Sequence, residues 1–325
     1  MKLKHTTIIQ KAMDANPLVS IGLPTYSRGR VLKRTLDSLL GQTYRNIELI
    51  ISDDASFDAT PKICEEYAGK DSRICYFRQE KNLGMKGNFY FVLSKARGRY
   101  FMRAGDDDWW DKTFIEKLAK VLEDHPGYAW AVSSFARVYN NGEIEEEILF
   151  EGENELTGKS PYEIYKRILM RKKGHDHLNY GILKRELFQK IALRRPPDKG
   201  WDAILGAQMA LAGKVYSIPE VLRFSNNKLE SPSEKVSKIT PRPAQKLRKP
   251  KFPLVSTTYT NLFLASLSRG LTSPAVPLHR KVFVIFPWLS ALWIKRKKFF
   301  GFFYGNPGRF FSFTYLKKKI PEIRK

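Results

Sequence analysis

Cysteine is nearly absent from this chain: Cys64 and Cys75 are the only two in 325 residues. Two cysteines make no disulfide framework, and these lack the spacing of a metal site, so both are expected as reduced, partly buried thiols of a cytosolic protein. Long apolar runs are also missing. Nothing approaches the roughly 20 uninterrupted apolar residues of a membrane-spanning helix. The opening stretch MKLKHTTIIQKAMDANP lacks the apolar core of a secretory signal. Internal repeats are absent. Acidic residues are scarce in one region: residues 241–325 carry 18 Lys or Arg and one acid, Glu322. Of the net charge of +24, that segment holds +17 and the first 240 residues only +7. What remains is a nearly balanced body with a basic tail, and such a tail is drawn to polyanions. With 42% apolar and 28% charged residues the body has the composition of a folded protein.

The first half of the body alternates two periodicities. PLVSIGLPTY (17–26), IELIISDD (47–54), RICYFRQ (73–79) and RYFMRAG (99–105) read as strands. Between them, 29–42 places Val31, Leu32, Leu36, Leu39 and Leu40 on one helical stripe closed by Gly41. Residues 56–68 form a helix opened by Asp58 or Thr60 with Pro61 in its first turn, and 86–98 and 113–127 complete the set. This rhythm predicts an α/β fold with a mostly parallel sheet and helices on both faces, whose ligand crevice lies beyond the carboxyl ends of the strands. The second half is less regular. Residues 129–144 predict a strand running into an Asn-Gly turn, and the acid-rich stretch after it a solvated loop. Helices are expected over 161–171, 184–192 and 201–212, and a short strand pair over 214–224. From Ser231 onward Pro, Ser and Lys mark a linker.

Three clusters follow predicted strand ends: Pro24-Thr25-Tyr26, Asp53-Asp54 and Asp106-Asp107-Asp108. Parallel strands would bring all three to one edge. Adjacent carboxylates are hard oxygen ligands suited to Mn²⁺ or Mg²⁺, which complete their shells with phosphate oxygens and water. The plainer alternative for the triplet is an acidic cap on the helix that follows. Asp53 and Asp54 can accept hydrogen bonds from a ribose or base, or satisfy a turn of their own. NLGMKGN (82–88) adds a Gly-containing loop in which Lys86 can face a phosphate, without Walker-type spacing. Asn82 and Lys86 join Asp54 as donor-binding candidates. His175-Asp176-His177 lacks the spacing of a helical zinc pair and reads as a loop near an acceptor pocket. Trp109 and Trp110 either stack on a sugar or fill the core beneath the site.

Taken together, VSIGLPTYSRGR, ELIISDDASFDAT, NLGMKGN and RAGDDDWW, with a weaker stretch GWDAILGAQMALAGKVYSIPEVLRF, resemble a family 2 glycosyltransferase of the GT-A (Rossmann-like) fold over residues 17 to 225. The resemblance implies that Pro24, Thr25, Tyr26 and Asp53 hold the nucleoside of a nucleotide sugar. It makes Asp106–Asp108 the metal-binding motif, with Asp106 or Asp108 as direct ligand and Asp107 toward the donor sugar. It makes Asp202 the general base of an inverting displacement. Two positions depart from the family pattern: Gly105 stands where relatives often carry aspartate, and Trp201 precedes Asp202 where they often carry glutamate. The implied boundaries are an extension 1–16, a transferase domain 17–230 with donor half 17–110 and acceptor half 111–230, and a linker and tail 231–325.

In the tail, 279–319 alternates aromatic-apolar and basic blocks, and Val282–Ile294 is too short to span a bilayer. Such a segment suits an anionic membrane interface rather than nucleic acid. The expectation is a metal-dependent transferase, cytoplasmic and peripheral on the inner face of the membrane. Its donor is a nucleotide sugar, UDP-linked in preference, and its acceptor a glycan or lipid-linked molecule of cell-surface polysaccharide synthesis. The alternatives are a sugar-phosphate nucleotidyltransferase and a non-catalytic membrane- or nucleic-acid-binding protein with a transferase-like fold.

Overall fold

The computed structural model describes residues 16–139, 142–152, 155–169, 175–192, 201–226, 271 and 275–281. The chain divides into two compact units, Met1–Gln245 and Lys246–Lys325. In the second, the described residues include one short helix, Leu278–Lys281. The expectations for the extension 1–16 and for the linker and tail 231–325 fall almost wholly outside the described residues.

The first unit begins with β1 (Val19–Thr25), α1 (Leu32–Leu40), β2 (Ile47–Asp53), α2 (Thr60–Lys70), β3 (Ile74–Arg78), α3 (Gly84–Lys95) and β4 (Tyr100–Arg103). It continues with β5 (Trp109–Trp110), α4 (Phe114–Asp124), β6 (Tyr128–Val138), β7 (Ile144–Ile148), α5 (Pro161–Leu169), a 3-10 turn (His175–Tyr180), β8 (Ile182–Lys184), α6 (Arg185–Ala192), α7 (Trp201–Ala212) and β9 (Lys214–Asn226). The strands form one nine-stranded sheet in the order β3-β2-β1-β4-β8-β6-β9-β5, with β7 beside β6.

Alternation along β1 and β4 explains why helices cover both faces. Val19, Ile21 and Leu23 of β1 and Tyr100 and Met102 of β4 share a buried cluster with Leu32, Leu36 and Leu39 of α1 and Phe114, Ile115 and Leu118 of α4. Phe101 points the other way, where its ring stacks on Phe188 of α6 and meets Phe89 of α3 edge-on. Gly22 is required on that face, since a Cβ there would lie 2.7 Å from the Phe101 ring. Cys64 is buried on α2, where burial pushes its thiol up to about 12, and Cys75 lies half-buried on β3; neither forms a disulfide.

Three expectations need correction. The mostly parallel sheet holds for β3-β2-β1-β4, but β8 pairs antiparallel with both β4 and β6, and β5 antiparallel with β9, so the sheet is mixed. The acid-rich stretch read as a solvated loop contains β7, an edge strand needing one apolar anchor, Ile148, and held by Arg137–Glu146 at 3.3 Å. The strand pair over 214–224 is one strand of 13 residues. Its Pro219 lies between Ile218, opposite Ser133, and Val221, opposite Ser134, so it sits in a bulge where no ladder donor is needed.

A buried carboxylate closes the bottom of the sheet. Glu48 of β2 accepts hydrogen bonds from the Ser20 hydroxyl at 2.5 Å, the Arg97 amide at 2.8 Å and Arg97 Nε at 2.9 Å, fixing the turn between α3 and β4. Burial alone would raise its carboxyl, but these donors outweigh burial and hold it below the ordinary 4.5. A depressed folded value means stability that is present above the ordinary range and lost as pH falls through the folded one. Glu48→Gln is therefore expected to cost about 1–3 kcal/mol at pH 7. In urea titrations the gap from wild type should narrow as the pH falls below 4.5; a gap independent of pH would show that the charge is not what matters.

Candidate active site

The three clusters meet at one sheet edge, joined by direct bonds. Thr25 of β1 lies opposite Asp53 of β2, and the Asp54 amide donates to the Thr25 carbonyl at 2.9 Å. Asn88 in α3 donates to the carbonyls of Ser52 at 2.8 Å and Thr25 at 3.3 Å, tying both strand ends to the helix. Beyond β1 the chain turns sharply, with Ser27 at φ 53° and its amide on the Ser56 hydroxyl, 2.8 Å away. That turn carries Arg28 to the triplet, where Nε lies 3.2 Å from Asp106 Oδ1 and a terminal nitrogen 3.9 Å from Asp107 Oδ2.

Asp53 and Asp54 are both buried. Asp53 Oδ1 accepts from the Ser56 amide at 3.0 Å and Oδ2 from the Tyr76 hydroxyl at 3.3 Å, with Arg78 Nε 3.9 Å away. Asp54 Oδ1 accepts from the Leu83 amide at 2.6 Å, clamping the loop that carries Asn82 to the end of β2. Asn82 in turn accepts from the Gly84 amide, and Gly84 takes φ 76°, which a glycine adopts without strain. Lys86 follows in the first turn of α3. Pro24 is the penultimate residue of β1, and the Tyr26 ring meets Phe57 edge-on at 6.0 Å.

The triplet is not a helix cap. The next helix begins at Phe114, and its entry is fixed by Asp111, whose Oδ1 accepts from the Thr113 amide at 2.8 Å. The three carboxylates differ in surroundings. Asp106 and Asp107 have side chains 16% and 20% accessible, whereas Asp108 is only 5% accessible. Burial raises all three carboxyls. For Asp107, burial and then repulsion by Asp106 and Asp108 exceed the attraction of Arg28, taking its carboxyl up to about 7. Burial is the larger cause, so an ionised Asp107 is costly at this edge. Asp108 is turned inward instead, with Oδ2 3.2 Å from Arg223 of β9 and Oδ1 accepting from the Asn226 amide at 3.3 Å.

Trp109 and Trp110 both pack against protein groups. Trp109 stacks on Phe224 at 5.6 Å with the Arg34 guanidinium 3.6 Å over its ring, and Trp110 is buried against Phe114. His177 lies in the 3-10 turn with Nδ1 2.9 Å from Arg223, and burial and then Arg223 lower its pKa to about 2, so the ring is neutral. Asp202 is the second residue of α7. Arg28, Arg34 and Arg223 were not singled out from the sequence. Arg28 had a faint signal in the basic turn PTYSRGR; Arg223 had none, since it reaches Asp108 across 115 residues.

Residues 20–192, just over half of the chain, match Glycosyl transferase family 2, and the chain belongs to that family. It is 34% identical to glycosyltransferase GlyA of Streptococcus pneumoniae over 107 residues, 33% of this chain and 15% of that protein. It is 36% identical to the putative glycosyltransferase EpsE of Bacillus subtilis over 117 residues, 36% of this chain and 42% of that one. The matches thus span less than half the length of these curated relatives. A crystal structure of S. aureus TarS 1-349 in complex with UDP-GlcNAc aligns with a TM-score of 0.59 at 16% identity, covering 82% of this chain and 70% of that one. That likeness establishes the GT-A-like α/β fold.

Proposed function

We propose that this glycosyltransferase moves a sugar from a nucleotide sugar, UDP-linked in preference, to a hydroxyl of a glycan or lipid-linked acceptor, with inversion at the anomeric carbon and dependence on Mn²⁺ or Mg²⁺. The observation that carries this is the meeting of Thr25, Asp53-Asp54 and Asp106-Asp107 at one sheet edge, with Arg28 bridging the first turn to the acidic one. TarS is described in complex with UDP and with UDP-GlcNAc, which supports a nucleotide-sugar donor of that kind.

The donor set suits a hard divalent cation: two adjacent acidic side chains reach solvent, and carboxylate oxygens are the ligands such an ion takes. Asp106 and Asp107 would hold that cation, which when bound neutralises charge on a leaving diphosphate. Pro24, Thr25 and Tyr26 form the wall for the nucleoside, and Asp53 and Asp54, with Asn82, hold the two loops that frame it. Arg28 and Lys86 supply positive charge for phosphate oxygens. Asp202 accepts the proton of the acceptor hydroxyl as that oxygen attacks the anomeric carbon and the diphosphate departs on the opposite side. The basic aromatic segment 279–319 holds the enzyme on the inner face of an anionic membrane, near a lipid-linked acceptor of surface polysaccharide synthesis.

Purified protein is expected to hydrolyse UDP- or GDP-sugars slowly with Mn²⁺ or Mg²⁺ and to stop in EDTA, read as released nucleoside diphosphate. Undiminished turnover in EDTA would refute the metal dependence. The full chain should sediment with phosphatidylserine vesicles and not with phosphatidylcholine vesicles; equal binding to both, or to neither, would refute the anchor.

A further inference from the structure

Asp108 is treated differently from its neighbours, by residues from the other half of the domain. Besides Arg223 and the Asn226 amide, the Ser225 hydroxyl donates to its carboxylate, and its main-chain oxygen accepts from the Thr35 hydroxyl at 2.8 Å. Gly105 leaves room for this arrangement: a Cβ there would sit 3.0 Å from Asp108 Oδ2 and press on the carboxylate. Arg223 is itself only 3% accessible and held on several sides. Its guanidinium carbon lies 4.6 Å from the Phe135 ring centre and 4.5 Å from that of Tyr180, and its second terminal nitrogen faces His177 Nδ1 at 2.9 Å. Arginine stays protonated, so this Nδ1 accepts and the ring proton of His177 lies on Nε2.

Such a cation is preorganised, and it acts on the last aspartate of the donor motif from a strand that follows the acceptor-side helices in the chain. We propose that Arg223, oriented by His177, is a positioning residue of the donor site. By drawing Asp108 inward it fixes the turn so that Asp106 and Asp107 alone face the donor diphosphate and its cation. This inference rests on the nucleotide-sugar reading given above. Released from Arg223, Asp108 would bring a third negative charge to the crevice or pull the turn out of place.

A double-mutant cycle read by calorimetric binding of UDP or GDP with Mn²⁺ tests this, using whichever nucleotide the wild-type chain binds. Arg223→Gln should weaken binding about ten-fold, a usual size for coupling between adjoining sites. Arg223→Gln combined with Asp108→Asn should bind more tightly than Arg223→Gln alone, because the stray charge is gone. His177→Gln, which keeps an acceptor for Arg223, should stay closer to wild type than His177→Leu, and this pair serves if Arg223→Gln does not fold. A double variant no better than Arg223→Gln would mean that Arg223 touches the nucleotide or only stabilises the fold. Asp108→Asn alone abolishing binding as Asp107→Asn does would make Asp108 a ligand. Either result overturns the proposal. A wild-type chain that binds neither nucleotide overturns the functional reading, and this one with it.

Discussion

Asp107→Asn is expected to remove sugar transfer while making the ligand-free protein harder to unfold. The two effects share one cause. Burial, with Asp106 and Asp108 close by, raises the Asp107 carboxyl from the ordinary 3.8 to about 7, so the folded protein resists its ionisation. A raised folded value means a contribution fully present below the ordinary carboxylate range and lost as pH rises through about 7. The wild type should therefore lose stability between pH 4 and 7.5, and Asp107→Asn should lose less of it. At pH 7.5 the variant should be the more stable by about 1–3 kcal/mol, or a few degrees in Tm. Activity moves the other way, by roughly a thousand-fold or more, the scale for losing a group that supports a developing anion. Thermal unfolding in EDTA at pH 5 and 8, beside donor turnover with Mn²⁺, reads both. A variant that is inactive and also less stable at pH 8 would mean that the charge strain inferred at this edge is wrong.

Asp202→Asn should separate chemistry from binding. Asparagine has the size of aspartate but cannot take up a proton. The expected result is a fall in kcat of about 10²- to 10⁴-fold, the usual worth of a positioned general base. Nucleotide affinity measured with Mn²⁺ should stay within about three-fold of wild type, since general-base action adds nothing to ground-state binding of the donor. Equal losses in kcat and nucleotide affinity would instead make Asp202 a structural residue at the start of its helix.

What could be read from the sequence was what local pattern determines. β1, β2 and β4 are apolar runs with few competing assignments, and their ends drew Thr25, Asp53 and the Asp triplet to one edge before any coordinates. The second half resisted because its strands are set by tertiary pairing. β5 has two residues and β8 three, too few for any periodicity to show. β7 is so rich in glutamate that it looks solvated, yet an edge strand tolerates charge on its open side. The run 214–224 reads as two short strands, yet it is one, because a bulge accommodates Pro219 without ending the strand. The arginines around the triplet were hidden for a related reason. Arg28 and Arg34 lie in one stretch and Arg223 nearly 190 residues later, and no spacing rule predicts that their side chains converge.

The bulge in β9 carries a consequence for chain length. Pro219, Glu220 and Leu222 have no counterparts on β6, and together they set the phase of everything from Arg223 onward. Side chains alternate along a strand, so removing one of these three residues would leave the strand intact but swap its faces. Arg223 would then point where Leu222 or Phe224 points now, and Asp108 would lose its cation without any substitution. Length changes of one residue between Lys214 and Arg223 should therefore be barred, while changes of two, or insertions in the connection between β7 and α5, should be tolerated. In this enzyme the spacing of a strand remote from the donor motif matters to that motif as much as the identity of its own residues.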